Sequence, residues 1–518
     1  MVNSDIVGLE ILRTQLARVA EDMGIVLRNT SFSPNIKERM DCSAAIFTPE
    51  GEMLAQAEHI PVHLGSMPAS VLAVLERFGS DPPPGVQYAV NDPFAGGTHL
   101  NDLTLVRPVY VGTNLVGWVG NRAHHSDVGG DAPGSMPADA TLLRQEGFVV
   151  SPMVAVVDGE WSPEFIEPFI GATRTPVERR GDLSGQLGAN EAGAARLESL
   201  VAATGSDRFA LMARDLLDYG ERRMRAAIMA LPDGSVSFTD YMEWKGDLLP
   251  ITVSVTVDGD ALRADFSETT DQIAGNINAV RAVTGSCLSY AVRVATDPSI
   301  PATGGAHRPL ELITRPGSIV DASPPVAVAA GNVETSQRIA DTLLGALAQL
   351  APDRVPAASQ GTMNNVLVGN DRFAYYETVA GGQGARPGKD GQSGIQTGMT
   401  NTKNTPVTSI GMHYPFEVTR YRLRRGSGGH GQFRGGDGIE RELLFADHAV
   451  VSLMGERRLT APWGLAGGSD GLPGEDWLIR TDGSREQLPS KCTVDVAPGD
   501  RLLVLTPGGG GWGSSAVD

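Results

Sequence analysis

Two short polar tracts, "GGTHLND" at 96–102 and "AHHSDVGG" at 123–130, hold residue types that could bind a transition metal ion. His99 and Asp102 stand three residues apart in the first, and His124 and His125 are adjacent in the second, with Asp127 just beyond. Imidazole nitrogens and carboxylate oxygens together suit zinc, manganese or iron. Three or four such ligands with one position left for water would make a catalytic rather than a structural site. Asp41, in "RMDCSAAIF", is a further carboxylate of the right kind, either a fourth ligand or a base for a bound water.

The elements that must position these residues are two hairpins. Residues 103–111 and 115–123 are rich in strand-forming types and are joined by Gly112-Thr113-Asn114, a short turn of suitable composition. Centring that turn on Thr113 puts Asp102 directly opposite His124, with Cβ atoms about 5 Å apart on one face. A slip of one residue would break the pairing. His99 sits just beyond the open end. A second hairpin, "RMDCSAAIFTPEGEMLAQAEHIP", turns at Pro49-Glu50-Gly51 and puts Asp41 at a strand entrance. His125 alternates away from His124 along the strand, so it would hydrogen-bond around the site or face another pocket. Asp41, Asp102 and His125 are taken as catalytic candidates, and Asp41, His99, Asp102 and His124 as the metal ligands.

A His-x-x-Asp beside a distant His-His also arises in loops that carry only caps and part-exposed histidines. Histidine is scarce here, nine in 518, yet His59, His63, His99, His124 and His125 cluster in one stretch, and glycines flank both tracts. His59 and His63 in "HIPVH" read as structural, and Asp127 as a turn cap or a support to the site. "GGQGARPGKDG" resembles a phosphate loop by eye, but the spacing of a Walker A motif fails, because Asp390 follows Lys389. "RGSGGHGQFRGGDG" is an anion nest around Arg434 or, more commonly for such composition, a set of glycine turns in a β-rich region. No nucleophile elbow and no dinucleotide fingerprint occurs.

The formal charge of −19 argues against nucleic acid, whose backbone demands a cationic face. Three separated cysteines form neither a disulfide framework nor a metal motif, no leader pattern opens the chain, and no apolar run spans a bilayer. A soluble protein of the reducing cytoplasm is expected. Residues 5–28 carry an amphipathic helix behind Ser4 and Asp5 as caps, and 182–231 is helix-rich, with Asp182, Gln186 and Asn190 forming a polar stripe at i, i+4 and i+8. "ITVSVTVDGDALRADFSE" reads as a hairpin, and "TSQRIADTLLGALAQL" as a capped helix with Ile339, Leu343, Leu347 and Leu350 on one side. The 63 glycines, well above the usual ~7%, imply tight turns and close backbone approaches. The fold class expected is mixed α/β (α+β), multi-domain: an N-terminal α/β metal-site region over 1–180, a helix-rich middle with a hairpin over 181–355, and a β-rich, Gly-rich region over 356–518.

Six blocks in order, "NIKERMDCSAAIFTPEGEMLAQAEHIPVHLGSMP", "NDPFAGGTHLNDLTLVRPVY", "HHSDVGG", "GDLSGQLGAN", "MTNTKNTPV" and "SGGHGQFRGGDGIERE", resemble the hydantoinase B/oxoprolinase family. That family includes the B-type (β) subunits of ATP-dependent N-methylhydantoinases, caprolactamase and 5-oxoprolinases, and related subunits of acetone and acetophenone carboxylases. The resemblance implies an A-type (α) ATPase partner of the hydantoinase A/oxoprolinase family that binds ATP and Mg, an α2β2 heterotetramer, and a zinc or manganese site on Asp41, His99, Asp102 and His124. It implies opening of a cyclic amide (hydantoin, 5-oxoproline or lactam) by metal-activated water attack on a substrate phosphorylated in the A subunit. An ATP-dependent ketone carboxylase subunit is the alternative, and a noncatalytic scaffold for the ATPase a third. One departure is Val407-Thr408-Ser409 after "MTNTKNTP", where a Glu is expected.

Overall fold

In the computed structural model the described residues are 6–57, 60–63 and 65–514. The caps expected at Ser4 and Asp5, and His59, lie outside them. The first sheet is assembled from hairpins. β1 (Cys42–Phe47) and β2 (Met53–Ala57) are followed by β3 (Val86–Val90), β4 (Asp102–Val111), β5 (Asn114–His124), β6 (Met153–Val157) and β7 (Glu160–Trp161). They pair antiparallel in the order β2-β1-β5-β4-β3-β6-β7.

Every residue of β1 is buried because the sheet is covered on both sides. Strand alternation sends Ala44 and Ile46 to a face packed by the long helices Ile6–Thr30 and Pro176–Thr204. It sends Ala45 and Phe47 to the other face, where the helix Met67–Phe78 lies. The polar stripe of Pro176–Thr204 is buried too. Gln186 Nε2 donates to Leu103 O and Asn121 Oδ1, and Asn190 Nδ2 to Leu105 O and Gln87 Oε1. The stripe therefore fastens the helix to β4 and β5, each polar atom finding the partner that burial requires.

A second, four-stranded sheet lies within 234–313 and includes the hairpin expected about Asp258-Gly259. Two further sheets lie within 365–505, in the stretch expected to be β-rich. One large core draws residues from all three stretches, from Ile60 through Val253 and Leu343 to Met454. The helix Ser336–Leu350 differs from expectation: it has no side-chain cap, since a π-helical turn, Gly331–Thr335, runs straight into it. It is buried on nearly every side rather than on one stripe. Many C-terminal glycines serve close approach rather than unusual dihedrals. A Cβ on Gly508 would stand 2.0 Å from Ser427 O, and one on Gly510 2.1 Å from Trp463 O.

Candidate metal centre

Asp102 opens β4 and His124 closes β5, and the two are direct partners in the register. β1 lies on the other side of β5, pairing Cys42 with Ala123, so Asp41 arrives beside His124. The His124 amide donates to Asp41 O at 3.0 Å, and Asn35 Nδ2 to His124 O at 2.7 Å. His99 reaches the same point from the loop before β4. That loop presses so closely on the helix Met67–Phe78 that a Cβ on Gly96 (φ +93) would lie 2.5 Å from Ala69 O. Asp41, His99, Asp102 and His124 are thus brought together, all buried.

The two oxygens of Asp102 are treated differently. Oδ2 accepts from Thr98 Oγ1 at 2.7 Å and Asn332 Nδ2 at 3.4 Å, and lies 3.3 Å from His63 Nε2. Oδ1 is left without a hydrogen-bond partner, as are both ring nitrogens of His99 and Nε2 of His124. Yet Oδ1 is 3.3 Å from His99 Nε2 and 3.5 Å from His124 Nδ1. Ligand atoms held about 2.0–2.2 Å from one ion stand roughly 3.0–3.5 Å apart, so this spacing fits a shared divalent cation. One ligand atom from each of His99, Asp102 and His124 lies within 4.8 Å of the others. Asp41 is slightly further out, its Oδ2 3.9 Å from His124 Nδ1.

The electrostatics suit the same use. Burial works against the Asp102 carboxylate, but the imidazoles of His99, His63 and His124 around it hold it well below the usual carboxylate range. Burial lowers His99, which favours the neutral, ligating imidazole. The ring of His124 stacks on Tyr376 at 4.6 Å, and the Arg39 guanidinium lies 4.7 Å from the Tyr376 ring centroid. Arg39 in turn is held by Asn35 and by Tyr376 O, closing one wall of the site.

His125 points elsewhere. Its Nε2 lies 2.9 Å from Gln186 Oε1 and its ring meets Phe169 edge-on, with burial lowering its pKa to about 4. Asp127 braces a loop, accepting from the amides of Gly129, Gly134 and Arg174 and from the Arg174 guanidinium. His63 is the residue whose role the sequence understated: Nδ1 meets Ser43 Oγ at 2.8 Å while Nε2 meets Asp102. Its only signal was membership of the histidine cluster. Asn332 and Glu334 were missed entirely. Glu334 is buried beside the site, its Oε1 taking Met363 N and Asn365 Nδ2, with Asn365 Oδ1 bonded to the Tyr376 hydroxyl.

Fold and cluster together define the class: a mixed α/β protein carrying a buried His–Asp–His cluster that could hold a metal ion. The chain belongs to the hydantoinase B/oxoprolinase family, whose profile matches residues 5–515. It is 39% identical to an uncharacterized protein of Methanocaldococcus jannaschii over 98% of this chain and 91% of the other. It is 37% identical to 5-oxoprolinase 1 of Arabidopsis thaliana over 99% of this chain but only 42% of that relative. The chain thus spans about two fifths of the oxoprolinase's length. Its fold matches that of the ATP-dependent caprolactamase from Pseudomonas jessenii with a TM-score of 0.93 at 27% identity, covering 99% of this chain and 92% of that one. It also matches nucleotide-free acetone carboxylase, from work on ATP-dependent acetone carboxylation, with a TM-score of 0.91 over 98% and 76% of the two chains, a likeness of fold at 17% identity.

Proposed function

We propose that this chain is the metal-holding B subunit of an ATP-dependent amidohydrolase that opens a cyclic amide. The observation that carries the reading is the Asp102 oxygen left unbonded between two imidazole nitrogens at 3.3 and 3.5 Å, beside a His99 ring with neither nitrogen bonded, all of it buried. Similarity to a 5-oxoprolinase and to an ATP-dependent caprolactamase supports the substrate class.

An unstrained ring amide resists hydrolysis because resonance weakens its carbonyl as an electrophile and its nitrogen as a leaving group. Phosphorylation of the carbonyl oxygen by ATP, in an A-type partner subunit, removes the first obstacle. A zinc or manganese ion on His99, Asp102 and His124 would supply Lewis acidity and lower the pKa of a bound water toward neutrality. The chain's own groups do the rest. Thr98, His63 and Asn332 fix Asp102 in one orientation, Tyr376 and Arg39 wall off bulk water, and Asp41 accepts the proton of the attacking water.

The test is to co-express the chain with its A-type partner and supply ATP. Ring opening of 5-oxoproline, hydantoin or caprolactam, lost on chelation, supports the reading. ATP-dependent carboxylation of acetone by bicarbonate, with no ring opening, would replace it with the carboxylase reading. Partner stabilisation with neither activity would leave the scaffold.

A further inference from the structure

Three segments of the chain meet on one face behind the wall that Arg39 forms. Phe32 leads into the short helix Pro34–Lys37 and lies on the helix Pro176–Thr204, where a Cβ on Gly181 would stand 2.2 Å from its ring. Asp182 takes the amides of Phe32 and Ser33, both at 2.9 Å, which fixes that contact. The third segment starts at Lys403, whose amide donates to Arg39 O at 2.9 Å, and runs into the short helix Val407–His413. His413 there lies close enough for its charge to act on the Glu178 carboxyl. The tract Val407-Thr408-Ser409 therefore belongs to this face, with Val407 and Thr408 exposed.

The face has the composition of a protein contact. Phe32, Val177, Val407 and Met412 are 60%, 73%, 44% and 80% exposed. Single exposed apolar residues are ordinary, but four drawn from three segments onto one face form the kind of patch that marks a docking surface. Its charge is also unlike that of the rest of the chain. The segments 32–38, 177–181 and 403–413 carry Lys37, Arg179, Arg180 and Lys403 against Glu38 and Glu178, a positive balance in a chain whose net charge is −19. Glu178 is bonded to Arg179, whereas Lys37, Arg180 and Lys403 are exposed and form no ion pair among the described residues. Free cations around an apolar centre fit a partner with an acidic rim. A second copy of this chain would bring the same cations to the contact.

We infer that this face docks the A-type ATPase subunit, through an apolar contact centred on Val177 and Met412 and an acidic rim on that subunit that meets Lys37, Arg180 and Lys403. The identity of the occupant rests on the function proposed above. Lys403 is tied to Arg39, whose guanidinium packs on the Tyr376 ring, and Tyr376 in turn stacks on His124. The docked subunit thus lies against the outer side of the wall whose inner side is the metal centre.

The test titrates the full chain with its separately purified A-type subunit by isothermal calorimetry, at low and at high salt. The wild type is expected to bind, more weakly as salt rises. Lys37→Glu/Arg180→Glu/Lys403→Glu and Val177→Ser/Met412→Ser change only exposed side chains and should each weaken binding at least about tenfold while melting as cooperatively as the wild type. Wild-type affinity in either variant overturns the inference. So does a loss of self-association with partner binding unchanged, which would give the face to a second copy. The proposed function fails separately: wild-type subunits that bind each other but open no ring strike the reaction and leave the docking face standing, whereas wild-type subunits that do not bind overturn both.

Discussion

Asp102 and His124 face each other as register partners at the open end of one hairpin, and Asp102 Oδ1 lies 3.5 Å from His124 Nδ1 with no hydrogen bond of its own. Asp102→Asn keeps the shape of the side chain and removes its charge. Loss of supporting contacts around a metal typically costs roughly 10–100-fold in affinity, and loss of a ligand charge costs more. The variant should bind zinc or manganese more than about 100-fold more weakly in competition with a chromophoric chelator. Equal affinity would remove Asp102 from the ligand set.

His63 should behave differently, because Thr98 and Asn332 also hold Asp102 Oδ2. His63→Ala is expected to weaken metal binding by about 10–100-fold without abolishing it. The same competition assay decides, and an affinity as low as that of Asp102→Asn would mean that His63 itself ligates the ion.

His125, though adjacent to His124 in sequence, serves packing against Phe169 and Gln186. Truncating it leaves a cavity and strips Gln186 of a partner, a combination that costs about 2–4 kcal/mol. His125→Ala should therefore unfold at a lower temperature while retaining wild-type metal stoichiometry. Metal loss in a folded His125→Ala protein would return this residue to the centre.

Burial and the neighbouring Glu456 raise Glu334 to about 8. Between about pH 4.5 and 8 the unfolded chain releases this proton while the folded chain keeps it, so Glu334 makes stability fall as pH rises through that window. Glu334→Gln stays neutral in both states and mimics the protonated carboxyl. Its melting temperature should match wild type near pH 5 and exceed it by several degrees near pH 9. Parallel pH profiles for the two proteins would contradict a raised Glu334.

The sequence made the heart of the site legible because two of its ligands are local to one hairpin. The pairing of Asp102 with His124 holds for a subtler reason than a turn centred on Thr113. Val111 pairs with Asn114 across a two-residue turn, and an irregularity between Val109 and Tyr110 then shifts the register by one, restoring the partnership at the far end. Asp182, Gln186 and Asn190 were visible as a stripe, but spacing cannot say whether a polar stripe faces water or, as here, buried backbone, the loop at Phe32 and Ser33 for Asp182 and β4 for Gln186 and Asn190. Asn332, Glu334 and Tyr376 were invisible, since each reaches the site from more than 200 residues away through tertiary packing that no local pattern encodes.

The central claim is that the loops at 96–102 and 123–130 form one metal centre. Elemental analysis of the purified chain, wild type and His99→Ala/His124→Ala, tests it most directly. The account predicts about one zinc or manganese ion per wild-type chain and none in a folded double variant. No ion in the wild type, even in complex with its partner, or the same content in both proteins, would contradict it.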